Sequence, residues 1–332
     1  MKPNAPRQAI QNVLLADIGG TNARFAVLAG GTVGMVSHMA VSDYASFREA
    51  LGVYLGGLPE TRRISGAILA ASGAVQNGRC ALTNNSWVID AGELHAIYGF
   101  STVRVINDFE AVAWALPGLS PSQLLRVGGA KPVAGAPLAA LGPGTGLGMA
   151  VSIPCATGHL VLSSEGGHAT LPGSSPREDA VIAYLRQRFG HVSAERVLSG
   201  NGLEHLHEAL AALDNLTLPR RLAAEITRAG MEGTCPTSRA ALDMFCAMLG
   251  TVAGNLALTL GARGGVFIAG GILHHMPDYF VRSQFRARFE EKGRLSNYLE
   301  PIPAYLILDE DVAFTGLRAL AEVEGIGRDA DD

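Results

Sequence analysis

Residues 17–28, Asp-Ile-Gly-Gly-Thr-Asn-Ala-Arg-Phe-Ala-Val-Leu, constrain this chain more than any other stretch. The apolar run Val13–Ala16 leads in and suits a buried strand. Gly19 and Gly20 break that run, and the alternating segment Arg24–Leu28 leaves it. The order predicts strand, tight glycine turn, strand. A turn bare of side chains at Gly19 and Gly20 lets backbone N–H groups approach an anion closely. Asp17, at the strand end, is then placed to face a metal carried by that anion. Taken alone, the segment also fits an ordinary hairpin turn.

A second glycine cluster, Leu141-Gly-Pro-Gly-Thr-Gly-Leu-Gly148, follows one apolar strand and precedes another. It lacks the lysine of a Walker A loop. A strand rather than a helix follows it, which excludes the dinucleotide fingerprint. By itself it reads equally as a flexible loop. Paired with the first turn, Gly144, Thr145 and Gly146 read as the second jaw of a phosphate clamp. The two strand–turn–strand units, Asp17–Leu28 and Leu138–Ile153, suggest two similar halves facing a cleft.

Strand-like runs and helical patterns alternate along the rest of the chain, which implies an α/β fold with mixed sheets and helices on both faces. The expected helices include Leu218–Arg228, Ser238–Leu260 and Pro277–Glu290, and the last strand is expected at Tyr305–Leu308. A Pro/Gly-rich stretch, 118–135, reads as the crossing between two domains. The expected division is 1–118 plus 309–332 for a smaller domain and 119–308 for a larger one, with the last strand and final helix returning to the first. At 332 residues, 48% of them apolar, the chain is long enough for two cores. A net charge of −4 without any dense Lys/Arg run argues against nucleic-acid binding. The four cysteines are widely spaced, and Met1–Asn12 has no apolar core, so a reduced, cytoplasmic setting without a signal peptide is expected. Ala240–Ala262 is long and apolar, but charged and polar residues flank and interrupt it. It reads as a buried helix rather than a membrane span, with Gly250 and Gly254 set for close helix packing and a place at a dimer interface.

Four further segments could carry chemistry. In Val105-Ile-Asn-Asp-Phe-Glu110, a strand gives way to a helix with Asp108 at the expected N-cap. The alternative to a cap is a carboxylate that accepts a hydroxyl proton in phosphoryl transfer. Asn107 beside it offers both donor and acceptor. In Ser164-Glu-Gly-Gly-His-Ala169, Glu165 and His168 flank two glycines and can turn to one ligand, or form a polar loop. In His191–Gly200, Ser193 is an expected N-cap and Glu195 falls in the first turn, where a carboxylate complements the helix dipole. Finally, Gly270 and Gly271 cap the apolar strand Val266–Ala269, where a flat base or ribose could lie against backbone.

Together these segments resemble the hexokinase/actin-like ATPase superfamily and, within it, the bacterial glucokinase family. The resemblance runs from about Val13 to about Leu308 and rests on 17–24, 106–109, 142–148, 165–168, 191–200 and 264–272. It implies a two-domain actin-like ATPase (sugar kinase) architecture with a cleft between a smaller and a larger domain. It further implies ATP-dependent phosphorylation of glucose at its 6-hydroxyl, with Mg²⁺, in a homodimer. By resemblance, Asp108 is the base, and Asn107, Asp108, Glu165, His168 and Glu195 bind sugar. The segment Asp17, Gly19, Gly20, Thr21 and Asn22, with Gly144, Thr145 and Gly146, holds phosphate. Gly270 and Gly271 border the adenosine, and Asp17 reaches Mg²⁺. The chain departs from the family pattern at Ser72, where a proline is common, and in the tail 309–314. A sugar sensor on the same scaffold would need a DNA-binding module before Val13, for which 12 residues are too few.

Overall fold

The computed structural model describes residues 12–59, 63–83 and 85–327. It divides into two compact units, 1–115 with 311–332, and 116–310. Met1–Asn12, read above as lacking a signal peptide, lies almost wholly outside the described residues.

The first unit opens with β1 (Asn12–Ile18) and β2 (Asn22–Ala29), then β3 (Thr32–Val33), β4 (Ser37–Ala40) and helix α1 (Phe47–Gly56). Next come β5 (Ile64–Ala71), a small sheet of β6 (Val75–Gln76), β7 (Arg79–Ala81) and β8 (Val88–Asp90), then α2 (Ala91–Tyr98), β9 (Thr102–Asn107) and α3 (Asp108–Ala115). The main sheet runs β3-β2-β1-β5-β9, with β4 also paired to β2. Strand β1 is antiparallel to β2 and parallel to β5. It is buried on both faces, which is why it reads as a continuous apolar run. Leu14, Ala16 and Ile18 enter one core with Phe25 and Phe47, while Val13 and Leu15 enter the other.

The second unit contains β10 (Leu124–Gly128), β11 (Leu138–Pro143), β12 (Leu147–Cys155) and β13 (Gly158–Ser164). Helices α4 (Pro176–Phe189), α5 (Gly200–Leu213), α6 (Ala223–Glu232) and α7 (Pro236–Leu260) follow, then β14 (Gly265–Ile268). Four short helices, α8 (Gly271–His274), α9 (Pro277–Arg282), α10 (Phe285–Glu290) and α11 (Ser296–Leu299), precede β15 (Ala304–Ile307). Its sheet runs β10-β15-β14-β11-β12-β13. The order β4-β2-β1-β5-β9 is thus repeated as β13-β12-β11-β14-β15, with the same antiparallel hairpin leading into parallel strands. The weak echo between the two glycine turns is a repeat of whole sheets.

Several expectations are corrected. The stretch 118–135 is not a plain linker, because Leu124–Gly128 is β10 and pairs with β15. The last strand, β15, belongs to this second sheet rather than to the first unit. Residues 218–222 do not begin a helix; α6 starts at Ala223. The expected helix 277–290 is broken at Ser283, whose hydroxyl donates to Phe280 O and accepts from the Phe285 N–H. Helix α7 is, among the described residues, the one helix long and apolar enough to cross a membrane, and most of its apolar window is buried. Gly250 and Gly254 do serve close packing, but within the chain: a Cβ at either would strike the Phe285 or Phe289 carbonyl of α10.

Helix α12 (Val312–Glu324) closes the first unit against α3. A Cβ at Gly316 would overlap the Ala111 carbonyl, backbone that cannot step aside. Gly316→Ala is therefore expected to lower stability by about 3 kcal/mol in urea unfolding, because over-packing forces two helices apart. A loss below about 0.5 kcal/mol would mean that α12 does not dock this closely.

Candidate active site

The first unit contributes two carboxylates. The β1–β2 register sets Asp17 opposite Arg24, and the Arg24 guanidinium lies 3.3 Å from Asp17 Oδ2. Arg24 also reaches Asp311 at 3.8 Å, and His38 lies 3.8 Å from the same carboxylate. Burial pushes the Asp17 carboxyl above its ordinary range, Arg24 pulls it back, and Asp311 adds to the rise. Between the strands, the Gly19 N–H donates to Asn22 O at 2.9 Å and closes the turn, with Thr21 and Asn22 exposed and Gly19 and Gly20 half-buried.

Asp108 is the first residue of α3 rather than its cap. The capping role falls to Asn107, whose Oδ1 accepts from the Phe109 N–H at 2.9 Å and the Glu110 N–H at 3.4 Å. Its Nδ2 donates to Gly73 O at 3.2 Å. The Asn107 carbonyl oxygen is thus committed to the helix, and an N–H is what it has to offer a ligand. Asp108 Oδ1 accepts from its neighbour Phe109 N–H at 2.9 Å. Burial, followed by the negative charge of Asp17, pushes the Asp108 carboxyl up to about 7, against hydrogen bonds from the Phe109 amide and the Ser72 hydroxyl. A carboxylate poised near neutral pH is suited to accept a proton from an alcohol.

The second unit contributes the remaining sugar candidates. Ser193 does not start a helix; it forms an isolated β-bridge with Thr170, and residues 194–198 form bends and turns, with the Arg196 N–H on Ser193 Oγ. That turn brings Glu195 beside His168, whose Nδ1 lies 3.8 Å from Glu195 Oε1 and whose Nε2 lies 3.8 Å from Glu165 Oε2. The Glu195 N–H donates to Gly167 O at 2.9 Å, and the Leu147 N–H donates to Glu195 Oε2 at 2.9 Å. Glu165 and His168 are well exposed, which suits groups awaiting a hydrophilic ligand.

The same Leu147 contact ties the sugar candidates to the glycine loop. Gly142 pairs with Gly148 and Pro143 with Leu147, so Gly144, Thr145 and Gly146 form the hairpin tip. The Gly144 N–H donates to Gly146 O at 2.8 Å, and Gly144 O accepts from the Gly200 N–H at 2.9 Å. Gly270 has φ +104°, and a Cβ there would strike the Pro143 carbonyl, so the two candidate nucleotide loops touch. A Cβ on Gly271 would meet nothing. Gly146 faces Glu195: a Cβ there would press on Glu195 Oε2. Gly146→Ala is expected to raise the KM for a polyhydroxyl substrate about tenfold with kcat less affected; an unchanged KM would remove Glu195 from the candidate site.

Sequence reasoning missed Ser72 as a partner of Asp108, and Arg24 and Asp311 as partners of Asp17. The Arg24 pairing was readable from the hairpin register; Asp311 was not, because only the fold returns it. Among the described residues no group of three or more His, Cys, Asp or Glu could hold a metal by itself.

A family model for glucokinase matches residues 14–324. A glucokinase of Paramagnetospirillum magneticum is 46% identical over 313 residues, covering 93% of this chain and 97% of that one. One from Nitrobacter hamburgensis is 43% identical, covering 92% and 96%. The crystal structure of a glucokinase from an Antarctic psychrotroph is 36% identical with a TM-score of 0.82, covering 94% and 99%. A Balamuthia mandrillaris glucokinase solved with glucose, 21% identical with a TM-score of 0.76 over 94% of each chain, shares the fold. The repeated sheets, the paired glycine turns and these likenesses along nearly the whole length agree: the chain belongs to the glucokinase family.

Proposed function

We propose that this chain transfers the γ-phosphoryl group of ATP to the 6-hydroxyl of D-glucose, giving glucose 6-phosphate and ADP. The observation that carries the reading is the convergence of Glu165, His168 and Glu195, fastened through Leu147 to the glycine loop. Two carboxylates and an imidazole at one place match the vicinal hydroxyls of a hexose, and an acyl-phosphate kinase has no use for them. Such groups reject a ligand that leaves them unpaired.

In this reading Asn107 and Asp108 are sugar-binding residues of the first unit, and Glu165, His168 and Glu195 are those of the second. Asp108 takes the 6-hydroxyl proton as the phosphoryl group moves. Backbone N–H groups at Gly19–Asn22 and Gly144–Gly146 take up charge on the phosphates, and Gly270–Gly271 border the adenosine. Asp17 fits a Mg²⁺ that arrives on nucleotide phosphates, because that ion needs only one or two protein carboxylates beside phosphate and water. When bound, it neutralises charge on the transferring phosphoryl group. We further infer a cytoplasmic enzyme, from its reduced, scattered cysteines, and a homodimer, from the family resemblance. An assay of ADP release over a panel of hexoses and phosphoryl donors tests the reading. Glucose with ATP is expected to give the highest kcat/KM; no glucose-dependent ADP release would overturn it.

A further inference from the structure

A cleft in the second unit contains none of these candidate site residues. It has a volume of about 740 Å³ and lies between the C-terminal end of α4, one face of α5 and the loop 216–221. That size suits a small organic ligand. Four guanidiniums line it, Arg188, Arg196, Arg220 and Arg221, against two carboxylates, Glu204 and Glu208. The carboxylates are taken: Glu208 by Arg188 at 3.2 Å and by the Tyr184 hydroxyl at 3.3 Å, and Glu204 by Arg220 at 3.2 Å. Arg196 has its guanidinium over the Phe189 ring, 4.6 Å from its centroid, and no carboxylate within ion-pair distance among the described residues. Arg221 likewise has none among them.

One polar side chain on the cleft wall is also unspent. His207 is 4% exposed, and its Nε2 is buried without a hydrogen-bond partner. A buried polar atom left bare costs on the order of 1–3 kcal/mol, so its persistence points to a ligand or solvent that completes it. Two uncommitted guanidiniums and an imidazole nitrogen suit phosphate oxygens. Ala212, Leu216 and Pro219 on the same wall supply apolar surface for a carbon skeleton.

We propose that this cleft binds a small organic phosphate, at a site separate from the glycine loops. Arg196 and Arg221 hold the phosphate, and His207 Nε2 completes it. The site adjoins the candidate sugar and phosphate groups through the chain: Arg196 follows Glu195, and Asn201 follows Gly200, whose N–H is bonded to Gly144 O.

Inorganic pyrophosphate, titrated calorimetrically into the full chain already saturated with glucose and AMPPNP, tests this with the glycine loops occupied. A saturable binding step is expected, weakened at least tenfold in the double variant R196A/R221A and less in H207A. R221A alone is expected to keep kcat and the glucose KM within twofold of the unsubstituted protein, which also shows that it folds. No residual pyrophosphate binding, or binding unchanged in R196A/R221A, would overturn the proposal. So would a double variant that changes oligomeric state in sedimentation, because the cleft would then be a contact between copies.

Discussion

Asp108→Asn is expected to cut kcat about 10³-fold while leaving the dissociation constant of glucose within about fivefold, because a general base contributes to the transition state and little to the ground state. Asparagine keeps the size and one acceptor oxygen for the Phe109 N–H, so the loss isolates proton transfer rather than folding. The pH profile carries a second, independent readout. With its carboxyl near 7, Asp108 is protonated below that pH, so kcat/KM should fall about tenfold per pH unit on the acid side. The next contributor after burial is the charge of Asp17. Asp17→Asn should therefore move the acid limb to lower pH, whatever it does to the maximal rate. Near-normal turnover in Asp108→Asn, or an acid limb that survives in its residual activity, would remove Asp108 from the base role.

The same substitution should stabilise the protein at alkaline pH. A carboxyl raised from 3.8 to about 7 by the fold binds, between those values, a proton that the unfolded chain releases. Stability contributed by this group is therefore greatest below about pH 4 and declines as pH rises to about 7. Above that, the ionised native carboxylate is a cost on the order of 2 kcal/mol, less than the full shift implies because Asp108 is partly exposed. Asp108→Asn is thus expected to raise Tm by roughly 5 °C at pH 8 and by little at pH 4. An equal change at both pH values would trace the effect to packing rather than charge. A more stable, nearly inactive variant is the usual sign of a group held in an uncomfortable place for chemistry.

Much of this was legible because clustered glycines interrupt strands that are otherwise mostly apolar. Both hairpins, Asp17–Leu28 and Leu138–Ile153, announce themselves that way, and the alternation of β and α patterns gives the class. Strand β13 was missed for the converse reason: its apolar run, Leu160-Val161-Leu162, is only three residues long, lies between polar residues and is largely exposed. The capping error at 107–108 arose because Asn and Asp are equally good caps and only the geometry shows which side chain folds back. Glu195 was placed in a helix because Ser-x-x-Arg-Val-Leu mimics a helix start. Its turn is held instead by pairing across Gly167 and Ala169, contacts that no local pattern encodes. Ser72, Asp17 and Asp108 lie at the ends of β5, β1 and β9, neighbours in one sheet order that must be known before their meeting can be foreseen.

The two-part make-up of the first unit bears on how the polypeptide reaches its native state during synthesis. Residues 116–310 are continuous and hold their own sheet and core, so they can complete folding as they emerge. The six-stranded sheet that precedes them has to wait: α12, which covers one of its faces through Phe314, Leu317 and Leu320, is translated last of the described helices. Asp311, which shares Arg24 with Asp17, arrives with it. The electrostatics of the first glycine turn are therefore finished only when Asp311 has left the ribosome. A nascent chain stalled before that point carries a folded second unit and an unclosed first one.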